Sequence, residues 1–83
     1  MYFVYTIKNS NNIYYKGFTT DPVQRLEYHN KGLSQYTKNN GPWELIFIQK
    51  FKTKEEALTF EKLLKRLNHK YLDLLIQSER NEI

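Results

Sequence analysis

Two strand-like runs flank an Asn-rich turn at the start of the chain, and no other feature limits the possible folds as much. The runs read Phe3-Val4-Tyr5-Thr6-Ile7 and Ile13-Tyr14-Tyr15-Lys16-Gly17-Phe18, with Lys8, Asn9, Ser10, Asn11 and Asn12 between them. A hairpin turning about Ser10 would set Ile7 opposite Ile13, Tyr5 opposite Tyr15 and Phe3 opposite Gly17. Opposed residues of an antiparallel pair point to one face, so both phenols would share a surface. Arg25 and His29 lie at i and i+4 on the helix expected next, and so share one side of it. A guanidinium, an imidazole and two phenols brought together suit phosphodiester chemistry.

The remaining pattern supplies three helices and one more strand. Asp21 is a good N-cap, Pro22 suits the first helical position, Gln24 sits where a capping box wants it, and Gly32 is a natural stop. Val23 and Leu26 are expected to pack inward. Asn39-Asn40-Gly41-Pro42 is the strongest turn signal. Glu44 to Phe51 reads as a third strand with apolar residues on both faces, which suits a central strand better than an edge. Thr53 and Glu56 form a capping box, and Ala57, Phe60, Leu64 and Leu67 recur at helical spacing. Tyr71, Leu72, Leu74, Leu75 and Ile76 suggest a short last helix, and the polar tail from Gln77 to Ile83 is expected to fray. The fold class is α+β: a small three-stranded, mainly antiparallel sheet with helices packed on it, in one domain over residues 1–83.

Composition excludes some chemistries. There is no cysteine, so disulfides and thiolate metal sites are ruled out. No apolar run approaches the roughly 18 to 20 residues needed to span a membrane. The chain enters a strand pattern at once, without a signal segment, and a cytoplasmic location is the expectation. Aromatic content is high at 16%, which partly offsets the small core of a short chain. The formal charge of +4 permits nucleic-acid binding without requiring it.

Glu61 stands at the border of the apolar helix stripe, where a carboxylate is desolvated unless it is paired or bound to a metal. On residue type alone it reads equally as an edge residue bridging to Lys62 or Lys65. Likewise, Tyr5 and Tyr15 fit strand tyrosines that bury the ring and wet the hydroxyl. Arg25 fits a surface helix cation, and His29 a helix-end histidine favoured by the macrodipole.

The ordered series resembles the GIY-YIG endonuclease family. Its two triplets appear as Phe3-Val4-Tyr5 and Tyr15-Lys16-Gly17. They are followed by Gly17-Phe18-Thr19-Thr20-Asp21, Arg25, His29-Asn30-Lys31-Gly32, Tyr36-Thr37, Pro42-Trp43-Glu44-Leu45, Phe51-Lys52-Thr53-Lys54-Glu55-Glu56-Ala57 and Glu61. Phe3 replaces the first glycine of the family name, and Lys16 replaces an apolar residue and is expected to face solvent. The chain looks most like the small standalone bacterial members and is similar to the nuclease module of excision-repair incision subunits.

The resemblance implies a catalytic set of Tyr5, Tyr15, Arg25, His29 and Glu61, with Glu61 the ligand of Mg²⁺ or Mn²⁺. One of the two tyrosines would activate the attacking water; Tyr5 is favoured for that role over Tyr15, which would hydrogen-bond the water or phosphate. Arg25 would hold the scissile phosphate. His29 would accept a proton from a tyrosine or bond the phosphate. Tyr36, Lys38, Asn39, Lys65 and Arg66 are candidate nucleic-acid contacts.

The implied function is a metal-dependent DNA endonuclease, structure-directed or weakly specific, with a role in DNA repair or processing. Its partners would be DNA and, for specificity, another protein, with no membrane, and its state a monomer or weak dimer. The alternatives are an inactive nucleic-acid-binding module of the same fold and a protein-interaction domain with a basic face.

Overall fold

The computed structural model describes Met1–Ile83. Its elements are β1 (Tyr2–Lys8), β2 (Tyr14–Thr19), α1 (Pro22–Asn30), β3 (Glu44–Phe51), α2 (Lys54–Arg66) and α3 (His69–Ile76). The three strands form one antiparallel sheet in the order β2-β1-β3. The expected α+β class is therefore what the chain adopts. The central strand is β1, not β3, and four of its residues in a row, Val4 to Ile7, are buried.

Two corrections follow for the sheet. The hairpin turns about Asn11, so Tyr5 faces Gly17 and Tyr15 faces Ile7. The turn is set by Asn9, whose Oδ1 accepts from the backbone of Asn11 at 3.0 Å and of Ile13 at 2.9 Å. Asn12 takes a left-handed φ of 60°, which Asn tolerates. A slip of two residues preserves the faces of a strand, so Tyr5 and Tyr15 still share a surface, now as diagonal neighbours.

The second correction concerns β3. A bulge falls between Thr6 and Ile7 of β1, leaving Ile46 of β3 unopposed. An extra residue reverses the alternation, so Leu45 and Phe47 point to opposite faces. The apolar character of both faces is real, but it arises on an edge strand.

Each face of the sheet has its own core. Val4 and Phe47 pack against Ala57, Phe60 and Leu64 of α2 and Leu72 of α3. Tyr5 and Ile7 pack against Trp43, with Leu26 of α1, Tyr15 and Leu45 around them. The α2 stripe is the expected one, and the Thr53 hydroxyl both accepts from Glu56 N at 3.2 Å and donates to the Glu56 carboxylate at 2.9 Å. Val23, expected inward, is exposed. Lys16, expected in solvent, is half-buried on the α2 side opposite Thr6, and burial lowers its pKa.

The tail does not read as frayed. Asn81 Nδ2 donates to the carbonyls of Ile46 and Ile76, both at 2.9 Å, and its Oδ1 accepts from Ile48 N at 3.2 Å. The Glu82 N–H donates to Ile48 O at 2.9 Å, and its carboxylate accepts from Lys50 N at 2.9 Å. The tail thus satisfies the outer edge of β3 at and beyond the bulge, where open ladder groups would otherwise face solvent.

Asn81→Ala should therefore cost about 2 kcal/mol, because partly buried ladder groups lose their partners. Urea unfolding with an unchanged slope would show this as a lower midpoint. An unchanged midpoint would return the tail to a frayed segment.

Candidate active site

The site lies on the sheet face covered by α1 and the loop to β3. Helix α1 starts on Asp21, whose carboxylate accepts from Gln24 N at 3.1 Å, with Pro22 in the first turn. It ends at Lys31 and Gly32, where φ is +74°. Gly32 N donates to His29 O at 3.1 Å and Leu33 N to Tyr28 O at 3.2 Å, the paired closure that a left-handed glycine permits. The loop is then pinned to the helix. Asn30 Oδ1 accepts from Trp43 N at 2.6 Å, and its Nδ2 donates to Trp43 O at 3.2 Å. The Trp43 indole N–H donates to Thr37 O at 3.2 Å.

Within this frame Tyr5 and His29 meet. The Tyr5 hydroxyl and His29 Nε2 share a hydrogen bond of 2.8 Å, and His29 Nδ1 and the Thr37 hydroxyl share another of 2.8 Å. Tyr5 is 2% exposed, and His29 and Thr37 are each 1% exposed. The Tyr15 ring sits 4.9 Å from the imidazole and 6.5 Å from the Tyr5 ring, centroid to centroid. Gly17, opposite Tyr5, is what makes room for that phenol. A Cβ there would collide with the Tyr5 hydroxyl and lie 2.6 Å from the ring carbon that bears it.

Arg25 stands beside the Tyr5 hydroxyl, with its guanidinium 4.3 Å above the Tyr28 ring, a cation–π contact. Its Nε is buried and has no acceptor in the protein. Arg25 and Tyr28 also line a cleft of about 340 Å³ with Thr19, Gln24, Glu27, Lys31 and Leu33.

Electrostatics separate the two buried groups. Burial raises the Tyr5 pKa to about 12, with Arg25 opposing and the charges of Tyr15 and Glu61 adding. Burial, then repulsion from Arg25, lowers His29 to about 4. His29 is therefore neutral at pH 7, and both its nitrogens are engaged. Burial thus works against passing the Tyr5 proton to His29, although the two groups are in hydrogen-bond contact, and a phosphate would reach an imidazole nitrogen only by displacing Tyr5 or Thr37.

Glu61 stands on α2, which packs on the opposite face of the sheet, and makes no bond to the four residues of the site; only its charge is felt at Tyr5. Its side chain is 16% exposed, and its one ion pair is with Lys65 at 3.6 Å, one turn along. Such a pair with an exposed lysine contributes about 0.3–0.5 kcal/mol and does not account for a carboxylate held at this border. No group of three or more His, Cys, Asp or Glu residues could hold a metal. The donor set is a single carboxylate, which fits an ion that keeps its waters and borrows substrate oxygens, as Mg²⁺ does.

Of the other candidates, Tyr36 is 79% exposed, and Lys38 and Asn39 are exposed beside it on the loop that carries Thr37. Lys65 lies next to Glu61, but Arg66 turns to the other flank of α2, with Phe51, Glu55 and Phe60. Successive helix residues point about 100° apart, so Lys65 and Arg66 face different flanks of α2. Two contributors were not singled out from sequence. Tyr28 follows Arg25 at i+3, a spacing that could have shown it, whereas Thr37 touches His29 only through the folded loop.

These residues and this sheet define a class. The family model described as the GIY-YIG catalytic domain matches residues 1–72. A UPF0213 protein of Listeria monocytogenes is 42% identical over 83 residues, covering 98% of this chain and 93% of its own. The UPF0213 protein YazA of Bacillus subtilis is 41% identical over 81 residues, covering 96% and 82%. The solution NMR structure of the UPF0213 protein BH0048 from Bacillus halodurans superposes with a TM-score of 0.62 at 30% identity, covering 96% of this chain and 87% of that one. The chain belongs to the GIY-YIG family, among the small bacterial proteins called UPF0213. No helix is long and apolar enough to cross a membrane.

The depressed His29 pKa makes a prediction about stability. Its folded value, about 4, lies below the roughly 6.5 of an unfolded chain. Between these values the unfolded state binds the proton more readily. The contribution is therefore full above pH 6.5 and is lost as pH falls toward 4, about 2 kcal/mol of it by pH 5. Urea unfolding at stepped pH reads this directly, and a flat stability from pH 7 to 5 would contradict a neutral buried His29.

Proposed function

We propose that the chain is a metal-dependent endonuclease that hydrolyses DNA phosphodiester bonds. One observation carries the reading. Tyr5, Tyr15, Arg25 and His29 converge on one surface, and Arg25 there holds a buried N–H that no protein group accepts. A guanidinium donor without a protein acceptor, on a side chain that lines a cleft, is matched by an anion such as a phosphate oxygen. Arg25 binds and orients that phosphate and offsets its growing charge.

Tyr5 is the group that takes the proton of the attacking water, once its own hydroxyl proton has passed to solvent. At pH 7 a phenol of pKa about 12, a value that already includes the lowering by Arg25, is ionised in roughly one molecule in 10⁵, so further positive charge, such as a bound cation would bring, is needed to favour that form. Tyr15, half-exposed beside it, hydrogen-bonds the water or phosphate. Glu61 would hold Mg²⁺ or Mn²⁺, which supplies Lewis-acid stabilisation of the leaving oxygen. The duplex or branched backbone would run past Tyr36, Lys38 and Asn39 on one side and Lys65 on the other, with a cytoplasmic DNA-processing role following from that substrate.

Plasmid nicking tests the proposal. Cleavage should be absent in chelator and restored by Mg²⁺ or Mn²⁺. It should rise about tenfold per pH unit through the neutral range, because the base titrates far above it. Glu61→Gln should cut at least a hundredfold more slowly while still binding DNA, with little loss of melting temperature because the Lys65 pair is weak. Full activity in chelator, or undiminished nicking by Glu61→Gln, would overturn the metal-dependent reading.

A further inference from the structure

The Thr37 hydroxyl is buried, and its single hydrogen-bond partner is His29 Nδ1, at 2.8 Å. The backbone around it is committed elsewhere. Thr37 N donates to Ser34 O at 3.3 Å, and Thr37 O accepts from Trp43 Nε1 and from Asn40 N, both at 3.2 Å. Two arrangements of protons are compatible with the heavy atoms. If Nδ1 carried the ring proton, Thr37 would accept it, and the hydroxyl proton of Thr37 would be left without a partner in a dry pocket. If Thr37 donates to Nδ1, its hydroxyl is satisfied, and the single proton of neutral His29 lies on Nε2, facing the Tyr5 oxygen. A buried donor left unpaired is costly, so the second arrangement is favoured. The proton then left over belongs to Tyr5, which is also buried but has beside it the half-exposed Tyr15 phenol, a group that can accept, whereas the Thr37 hydroxyl has no partner besides His29.

We propose that Thr37 is a positioning residue that holds His29 in its Nε2–H tautomer, making His29 a hydrogen-bond donor to Tyr5 rather than its base. The inference rests on the reading of Tyr5 as the oxygen that becomes anionic. Two donors then face that oxygen before it ionises: the imidazole Nε2–H behind it and the Arg25 guanidinium beside it. Donors aimed in advance at an oxygen that gains charge need no reorganisation when the charge appears. The other titratable groups around the pair are Tyr15 on β2, Tyr28 on α1 and Glu61 on α2, and none of them bonds either imidazole nitrogen. The depressed basicity of His29 agrees with a ring that donates.

Ring-nitrogen correlation spectra of ¹⁵N-labelled protein at neutral pH, without DNA or metal, test the tautomer directly. The chain has two histidines, and His69→Gln identifies the His29 signals. The expected result is a protonated Nε2 and a bare Nδ1. A protonated Nδ1 would overturn the proposal, whether or not the protein nicks DNA. Single-turnover nicking supplies the second arm. Thr37→Val should slow cleavage roughly tenfold, the lower end of what losing the orienting partner of a functional histidine costs, with DNA affinity unchanged. Thr37→Ser, which keeps the hydroxyl, should restore the rate. A folded Thr37→Val that cuts at the wild-type rate would overturn the proposal. If Thr37→Val does not fold, Thr37→Ser still decides, because a slow enzyme with the hydroxyl in place contradicts it. Absence of nicking by wild-type protein would defeat the nuclease reading instead, leaving the spectra to settle the tautomer.

Discussion

The hydrogen bond between Tyr5 and His29 joins the central strand to α1, and through Thr37 it reaches the loop that leads to β3. Three segments distant in sequence are thus held by two polar contacts inside a core. Polar groups in such a place are strongly favoured to be paired, since each unpaired one costs about 1–3 kcal/mol. The chain of Tyr5, His29 and Thr37 therefore specifies one arrangement of helix and loop against the sheet. The same burial that demands pairing also sets the chemistry. It raises the phenol, lowers the imidazole, and leaves Arg25 as the cation that can favour an ionised Tyr5.

The two faces of the sheet divide the work. On one, Val4, Phe47, Phe60, Leu64 and Leu72 form an apolar core of the ordinary kind. On the other, the buried set contains a phenol, an imidazole and an indole, each with a polar atom to satisfy, and the Tyr15 phenol is half-buried beside them. The bulge at Ile46 makes this division possible within one edge strand, because it sends Leu45 to the site face and Phe47 to the apolar face. Asn81 then fills the ladder where the bulge disturbs it. The larger apolar core lies on the α2 side, and the α1 side carries the buried polar chain.

Much of this was legible in the residues. The Asp21-Pro22 start, the Gly32 stop, the Thr53–Glu56 box and the bounds of β3 are local signals, and each appears in the structure. The pairing of Tyr5 and Tyr15 on one face was legible because side chains alternate with a period of two, although the register was displaced by two residues. That displacement came from Asn9, whose side chain builds the turn. The strand order was misread because apolar residues on both faces of β3 look like a central strand, and a bulge leaves no mark in the pattern. The docked tail was hidden for a similar reason: polar residues that satisfy a sheet edge have the composition of a frayed end. Thr37 stands in the series that resembles the family, but its role was not legible because its partner lies on another element.

The central claim is that the buried phenol of Tyr5, cradled by His29 and Arg25, is the group on which cleavage depends. Single-turnover nicking by Tyr5→Phe beside Tyr15→Phe, both shown to be folded and to bind DNA, tests it most directly. The substitution removes one oxygen and keeps the ring. The account predicts a loss of two orders of magnitude or more for Tyr5→Phe, larger than that for Tyr15→Phe, with DNA affinity retained in both. A folded Tyr5→Phe protein that cuts as fast as the wild type would contradict it.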